Sequence, residues 1–356
     1  MYYHESATIL TSDDIQFKTW ANEHPSDFIL AIPKYIPTDK IRTTEMQLRV
    51  FDGKEYNRFN SRSVGTLKDY FSGFRENYGG YIRTLPERQT WFMGIPKEKI
   101  VKEYDSRKGM AEIMEHDKEK ADPYLLKTIE LIEFMLDNGM RISDFGATNS
   151  TLIGNYTPER SDIDYLVYGR DKYWKVMEVL ENEEHPKIRW RTNGEWRKHY
   201  VEYNAGLNFT ADEYLYHSKR KKSDGLYDNT VFSFFGVSKE GEEPVKWGEE
   251  EATPIGQCTI EATVSSHYHS CVRPGFYGIE GVKIIDGSKE GLPEKIVTYS
   301  RSLLLHCLTG ERIRAHGLLE KVNNRKNNRE HHQITIGYLE SYEKRKGTEY
   351  IKVIQS

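Results

Sequence analysis

The chain has 356 residues and a formal net charge of -4, with 37% hydrophobic and 30% charged residues. That balance excludes a globally basic nucleic-acid coat, and no run approaches the roughly 18 apolar residues of a membrane span, so a folded cytoplasmic protein without membrane contact is expected. Three cysteines, Cys258, Cys271 and Cys307, are odd in number and too few for a disulfide framework, and the first residues lack the pattern of a secretion signal.

In chain order, the first third reads as strands and turns. Asp27 to Ile32 is an apolar run ended by Pro33 and Pro37, and Gln47–Phe51 and Tyr56–Phe59 flank Asp52-Gly53, the dipeptide a type I′ hairpin favours. Trp91–Met93 reads as a further strand, and the charged stretch from Lys97 to Lys120 as a solvated helix or linker. From Pro123 the period changes: Leu125, Leu126, Ile129, Ile132 and Leu136 recur at helical spacing until Asn138-Gly139 stops them. A short strand, Ile142–Phe145, then enters Gly146-Ala-Thr-Asn-Ser150, followed by a helical turn to Ile153. Ser161–Tyr168 alternates as a strand, Asp171–Leu180 is helical, and Thr210 to Glu213 is a capping box. Thr230–Val237, Gly256–Val264, Lys283–Ile285 and Ile334–Tyr338 are strands, with turns at Asn323-Asn324 and Lys346-Gly347. The expected division is a β-rich segment with a charged linker over 1–120, an α/β core over 121–240, and a C-terminal β-rich barrel or sandwich over 241–356, an α+β fold with a mixed central sheet.

The chemistry concentrates in the core. On a strand, Asp162 and Asp164 point to one face while Ile163, Tyr165 and Val167 point to the other, which sets the two carboxylates about 6–7 Å apart. Mg2+ is usually held by one or two carboxylates together with substrate phosphates. Upstream, Gly146 lets backbone approach a phosphate, and Ser150 offers a hydroxyl and an N–H at a helix start.

Phe145 to Gly154 and Ser161 to Gly169 resemble the signature of the nucleotidyltransferase superfamily that contains DNA polymerase beta, and within it a group of archaeal proteins known only by that domain. The resemblance implies a nucleotidyltransferase-type sheet, Asp162 and Asp164 as catalytic and metal-holding residues, and a bound nucleoside triphosphate. It also implies attack on the α-phosphate and release of pyrophosphate. Two departures stand out. Asn149 occupies the place where the family has glycine before the serine, a place Asn tolerates because it adopts left-handed backbone. The strand Thr230–Val237, where the family carries a third carboxylate, has none; Asp224, Asp228 or Glu261 is the candidate substitute, and the sequence does not place them.

Around this core, Lys219–Lys222 is the sharpest basic run, and Lys221 and Lys172 are expected phosphate contacts beside Gly146, Asn149 and Ser150, with Arg170 sharing Lys172's double reading as helix end or contact. Cys258, His267, His269 and Cys271 are zinc-ligand types at no standard spacing, so a strand with exposed histidines is the better expectation. Lys321 to Arg329 reads as a hairpin tip and His331-His332 as a solvent-facing loop. The expected function is Mg2+-dependent transfer of a nucleoside monophosphate to an unspecified acceptor. The alternative is a nucleotide- or RNA-binding module of the same descent without turnover.

Overall fold

Phe28–Pro37 is the central strand of an N-terminal sheet of eight strands, and Phe28, Ile29, Leu30 and Ala31 are fully buried along it. The structure, a computed structural model, describes residues 1–39, 41, 47–51, 53–58, 64–203, 208–344 and 348–354. Gln16–Thr19, Lys54–Arg58 and Thr90–Pro96 all pair antiparallel with this strand. The expected hairpin is present as Gln47–Phe51 against Lys54–Arg58, with Gly53 at φ 75; Asp52, Phe59 and the expected turn at Lys346-Gly347 lie outside the described residues.

Two parts of this segment differ from the sequence expectation. A helix, Val64–Tyr78, covers the sheet, with Tyr70, Phe74 and Tyr78 at four-residue spacing on its buried face. The charged stretch after Lys97 is a strand, Ile100–Tyr104, paired with Thr8–Thr11, and then a helix, Ser106–Met114. Asp105 caps that helix by accepting from the Arg107 and Lys108 amides, and Met110 anchors it in the central core, so the segment is packed structure.

The centre follows the expected order. Asp122 caps Pro123–Asp137, Asn138 closes it, and Ile129 and Ile132 are buried. The five-stranded sheet runs Ile188–Arg189, Asp224–Tyr227, Thr230–Val237, Ile163–Tyr168, Phe145–Ala147, with Ile163–Tyr168 and Thr230–Val237 parallel and the other neighbours antiparallel. Ile163, Tyr165 and Val167 are fully buried on one face, where Tyr173, Val176 and Leu180 of the helix Arg170–Asn182 and Leu131 and Ile132 pack on them. Asp164, Leu166 and Tyr168 occupy the other face, which meets the N-terminal sheet: the Tyr168 ring packs edge-on to His4 at 5.3 Å.

The last third forms six strands in the order Glu250–Ser266, Gly275–Gly287, Pro293–Thr298, Arg329–Ile336, Arg312–Asn324, Tyr350–Val353, and Arg312–Asn324 also pairs back with Glu250–Ser266. Its apolar core draws on Cys258, Ile260, Ile296 and Ile334. Val297, Tyr299, Tyr338 and Leu339 turn away from it to pack among the N-terminal residues, so the ends of the chain share a core. His331 departs from expectation: it lies within a strand and is buried, 3.8 Å from the Glu250 carboxylate, because it alternates onto the same face as buried Gln333 and Thr335. Among the described residues no helix is long and apolar enough to cross a membrane.

Candidate functional site

Local backbone explains how the two halves of the motif meet. Phe145–Ala147 pairs antiparallel with the aspartate strand, Tyr165 opposite Ala147 and Leu166 opposite Gly146, which returns the Thr148–Ile153 turn to the start of that strand. Buried Tyr124 fastens the two ends: its hydroxyl donates to the Asp162 carbonyl at 3.0 Å and shares a 2.5 Å hydrogen bond with Thr151 Oγ1. Tyr156 stacks on Tyr124 at 4.4 Å and donates to Asp122, which fixes the turn against the helix. Asp162 is exposed just ahead of the strand, and Asp164 is half-buried inside it.

Asn149 adopts φ 55, the left-handed backbone that its short amide tolerates. Its Nδ2 donates to Asp164 Oδ2 at 2.6 Å, while Oδ1 accepts from Lys34 Nζ at 2.5 Å and Lys18 Nζ at 3.2 Å. The amide thus couples one carboxylate to two lysine side chains from the N-terminal sheet. Burial pushes Lys34 down to about 7, with Asp164 and Asp162 pulling up and the Arg58 and Arg301 charges pushing down. Lys18 is lowered as well, by burial first and then by the Arg301 and Lys34 charges, against the pull of Glu5 and Asp164. Arg301 stacks over Phe235 at 3.9 Å and donates to both Glu5 oxygens at 2.7 Å. Burial alone would raise the Glu5 carboxyl, but Arg273, Arg301 and Lys18 hold it down at about 2.

A cleft of about 730 Å³ opens from Asp162 and is lined there by Arg58, Arg301, Ser233 and Phe235. Asp164, Ser233 and Asp224 are register partners across three strands, so they share one face. Ser233 therefore stands beside Asp164 where a third acid would be sought, and Asp224 is one strand farther, ion-paired with Arg191. Asp228 pairs instead with Lys127 at 3.3 Å and Glu261 with Arg314 at 2.5 Å. Among the described residues no third Asp, Glu, His or Cys joins the two aspartates.

The remaining expected residues divide. Lys221 lines the cleft, donates to the Ser302 carbonyl, and is lowered by burial to about 8. Ser150 is half-buried in the short helix right after Asn149. Gly146 is on the site face but contacts protein: a Cβ there would lie 3.0 Å from Tyr168 Cε2 and 3.1 Å from Ser106 Cβ, so its lack of a side chain serves packing. Lys172 sits at the opposite end of the aspartate strand, 3.5 Å from Asp144. Arg170 is fully buried between Glu242 and Glu243. Cys258 and Cys271 belong to different cores, and His267 bonds Thr309, so the zinc-type residues do not converge. Lys321, Arg325, Lys326 and Arg329 are each paired with a glutamate around their hairpin.

Sequence reasoning missed Lys18, Lys34, Arg58 and Arg301. One signal was present: Lys34 is the only charge in the otherwise apolar strand Phe28–Pro37, and a lysine among buried neighbours calls for a partner.

No family model matches the chain. It is similar to an uncharacterised protein of Methanocaldococcus jannaschii, 23% identical over 349 residues that cover 97% of each chain. No solved structure matches it.

Proposed function

We propose that the cleft binds a nucleoside triphosphate with Mg2+ and that the protein is a nucleotidyltransferase, moving a nucleoside monophosphate to an acceptor with release of pyrophosphate. The observation that carries this reading is the convergence of Lys18, Lys34, Arg58 and Arg301 on the face of Asp162 and Asp164, at the mouth of the cleft. Two guanidinium groups and two buried lysines, which a bound polyanion would hold protonated, stand beside two carboxylates and match the charge of a triphosphate and a divalent metal together.

The donor set fits Mg2+: two carboxylates from alternate positions supply hard oxygen ligands and leave the other positions to phosphates and water. Bound there, the ion would supply charge neutralisation and orientation of the phosphates. The chain's own residues hold the geometry. Asn149 fixes the rotamer of Asp164, Tyr124 fixes the Asp162 backbone, and Glu5 aims the Arg301 guanidinium. The order of strands in the central sheet, and the closing pair between Glu250–Ser266 and Arg312–Asn324, support a nucleotidyltransferase-type core beside a barrel-like C-terminal unit. Three free, buried cysteines suit the reducing cytoplasm.

Ser233 beside Asp164 favours a second reading, a nucleotide- or RNA-binding module without turnover. The two separate in one assay. Purified protein is incubated with Mg2+, each of the four nucleoside triphosphates labelled at the α-phosphate, and candidate acceptors. Transfer is expected, and it should disappear in Asp162→Asn with Asp164→Asn. Transfer that persists in that double variant removes the site from the reaction; tight binding without pyrophosphate release selects the second reading.

A further inference from the structure

Away from Asp162 the cleft ends against rings. Trp196 of the helix Asn193–Tyr203, Tyr214 of the helix Ala211–Arg220, Phe209 and His306 line it there. His306 is 4% exposed, stacked on His217 with centroids 3.7 Å apart and planes at 16°, and its ring lies 5.3 Å from that of Phe209. Neither of its ring nitrogens makes a hydrogen bond of ordinary geometry, although the Ser302 carbonyl lies close enough to interact with one of them. The Ser302 carbonyl beside it already accepts from Lys221. A buried imidazole left unsatisfied is uncommon, and one lining a cleft is poised for a ligand's polar edge.

Burial and the nearby His217, Lys221 and Arg220 hold this imidazole neutral, so it presents one donor nitrogen and one acceptor nitrogen. Trp196, which lines the same cleft and packs edge-on to Tyr214, is covered by the Arg191 guanidinium at 4.8 Å, and Arg191 is the partner of Asp224. Asp224 stands two strands from Asp164, roughly 10 Å at ordinary strand spacing, a distance bridged by a sugar and its phosphate.

We infer that the ring-lined end of the cleft is a nucleobase subsite, in which His306 hydrogen-bonds the edge of the base and Trp196 contributes to the apolar wall beside it. The inference rests on the triphosphate reading above and adds to it where the base lies and what holds it. Base contact with such a wall contributes binding that a bare polyphosphate cannot obtain.

The test compares nucleotides with inorganic tripolyphosphate. The full-length chain is titrated calorimetrically in Mg2+ with ATP, GTP, CTP, UTP and tripolyphosphate. At least one nucleotide is expected to bind about tenfold or more tighter than tripolyphosphate, the scale of one ring contact. His306→Phe, which keeps a ring against His217, and Trp196→Ala should erase that advantage, while Trp196→Phe should keep most of it. Tripolyphosphate affinity should stay within about threefold in all three variants, which also reports their folding. The inference is overturned if the nucleotide advantage survives both His306→Phe and Trp196→Ala, or if all four nucleotides bind no better than tripolyphosphate. Where neither nucleotide nor tripolyphosphate binds, the triphosphate reading itself fails and the subsite falls with it.

Discussion

Replacing Glu5 with glutamine tests the buried ion cluster that supports the site. Glu5 is 1% exposed and accepts from Arg273, Arg301 and Ser6. Its carboxyl is held at about 2 against an ordinary 4.5. That separation, at 1.36 kcal/mol for each pKa unit, corresponds to on the order of 3 kcal/mol of stability. Removing one partner of a buried ion pair costs about 3–5 kcal/mol by independent measures, so the two estimates agree. Because the folded state lowers this pKa, the contribution is fully present above about 4.5 and is lost as pH falls through 2. Urea unfolding of wild type and Glu5→Gln at pH 7 should differ by about 3 kcal/mol, and the gap should shrink to less than half by about pH 3. A gap under about 1 kcal/mol at pH 7, or one that does not change with pH, would refute the cluster as described.

Other substitutions report on separate parts of the account. Gly146→Ala should destabilise by about 1–3 kcal/mol in thermal or urea unfolding, since its methyl would press on Tyr168 and Ser106; an unchanged midpoint would show that the close approach is absent. Arg170→Met should cost about 3–5 kcal/mol in the same measurement because Glu243, itself buried, would lose its cation, while tripolyphosphate binding by the folded fraction stays as in wild type. Burial raises all three buried cysteines' resistance to ionisation, with Cys271 pushed up to about 12 and Cys258 and Cys307 also raised. An aromatic disulfide reagent at pH 8 should therefore find no fast-reacting thiol until denaturant is added; rapid native labelling would contradict the packing.

Much of the core was legible because its determinants are local. The period-two alternation of Asp162 to Val167 assigns a carboxylate-bearing and a core-facing side without knowledge of any neighbour, and Asn138 and Thr210 mark helix ends by local signals. The electrostatics of the site were not legible, because they depend on which distant strands dock on the open face. Lys18 and Lys34 reach Asn149 across more than a hundred residues of sequence, and Arg301 arrives from the last third of the chain. Lys172 shows the same dependence in reverse: it follows the aspartate strand in sequence, yet the strand's length carries it to the opposite end, beside Asp144. The helix Val64–Tyr78 was obscured by glycines at 65 and 73, although its aromatic spacing was present. His331 reads as polar and is buried, since it shares a strand face with Gln333 and Thr335, and which face is covered depends on distant packing.

The central claim is that Asp162 and Asp164, with the cations facing them, form one site for a metal-bound triphosphate. Equilibrium binding of the four nucleoside triphosphates to the full-length chain, with and without Mg2+, tests it most directly when wild type is set beside Asp162→Asn with Asp164→Asn and beside Lys34→Met. The account predicts Mg2+-dependent binding that weakens at least about tenfold in the double variant, and binding that weakens in Lys34→Met whether or not Mg2+ is present. Equal affinity in all three proteins, or affinity indifferent to Mg2+ in wild type, would contradict it.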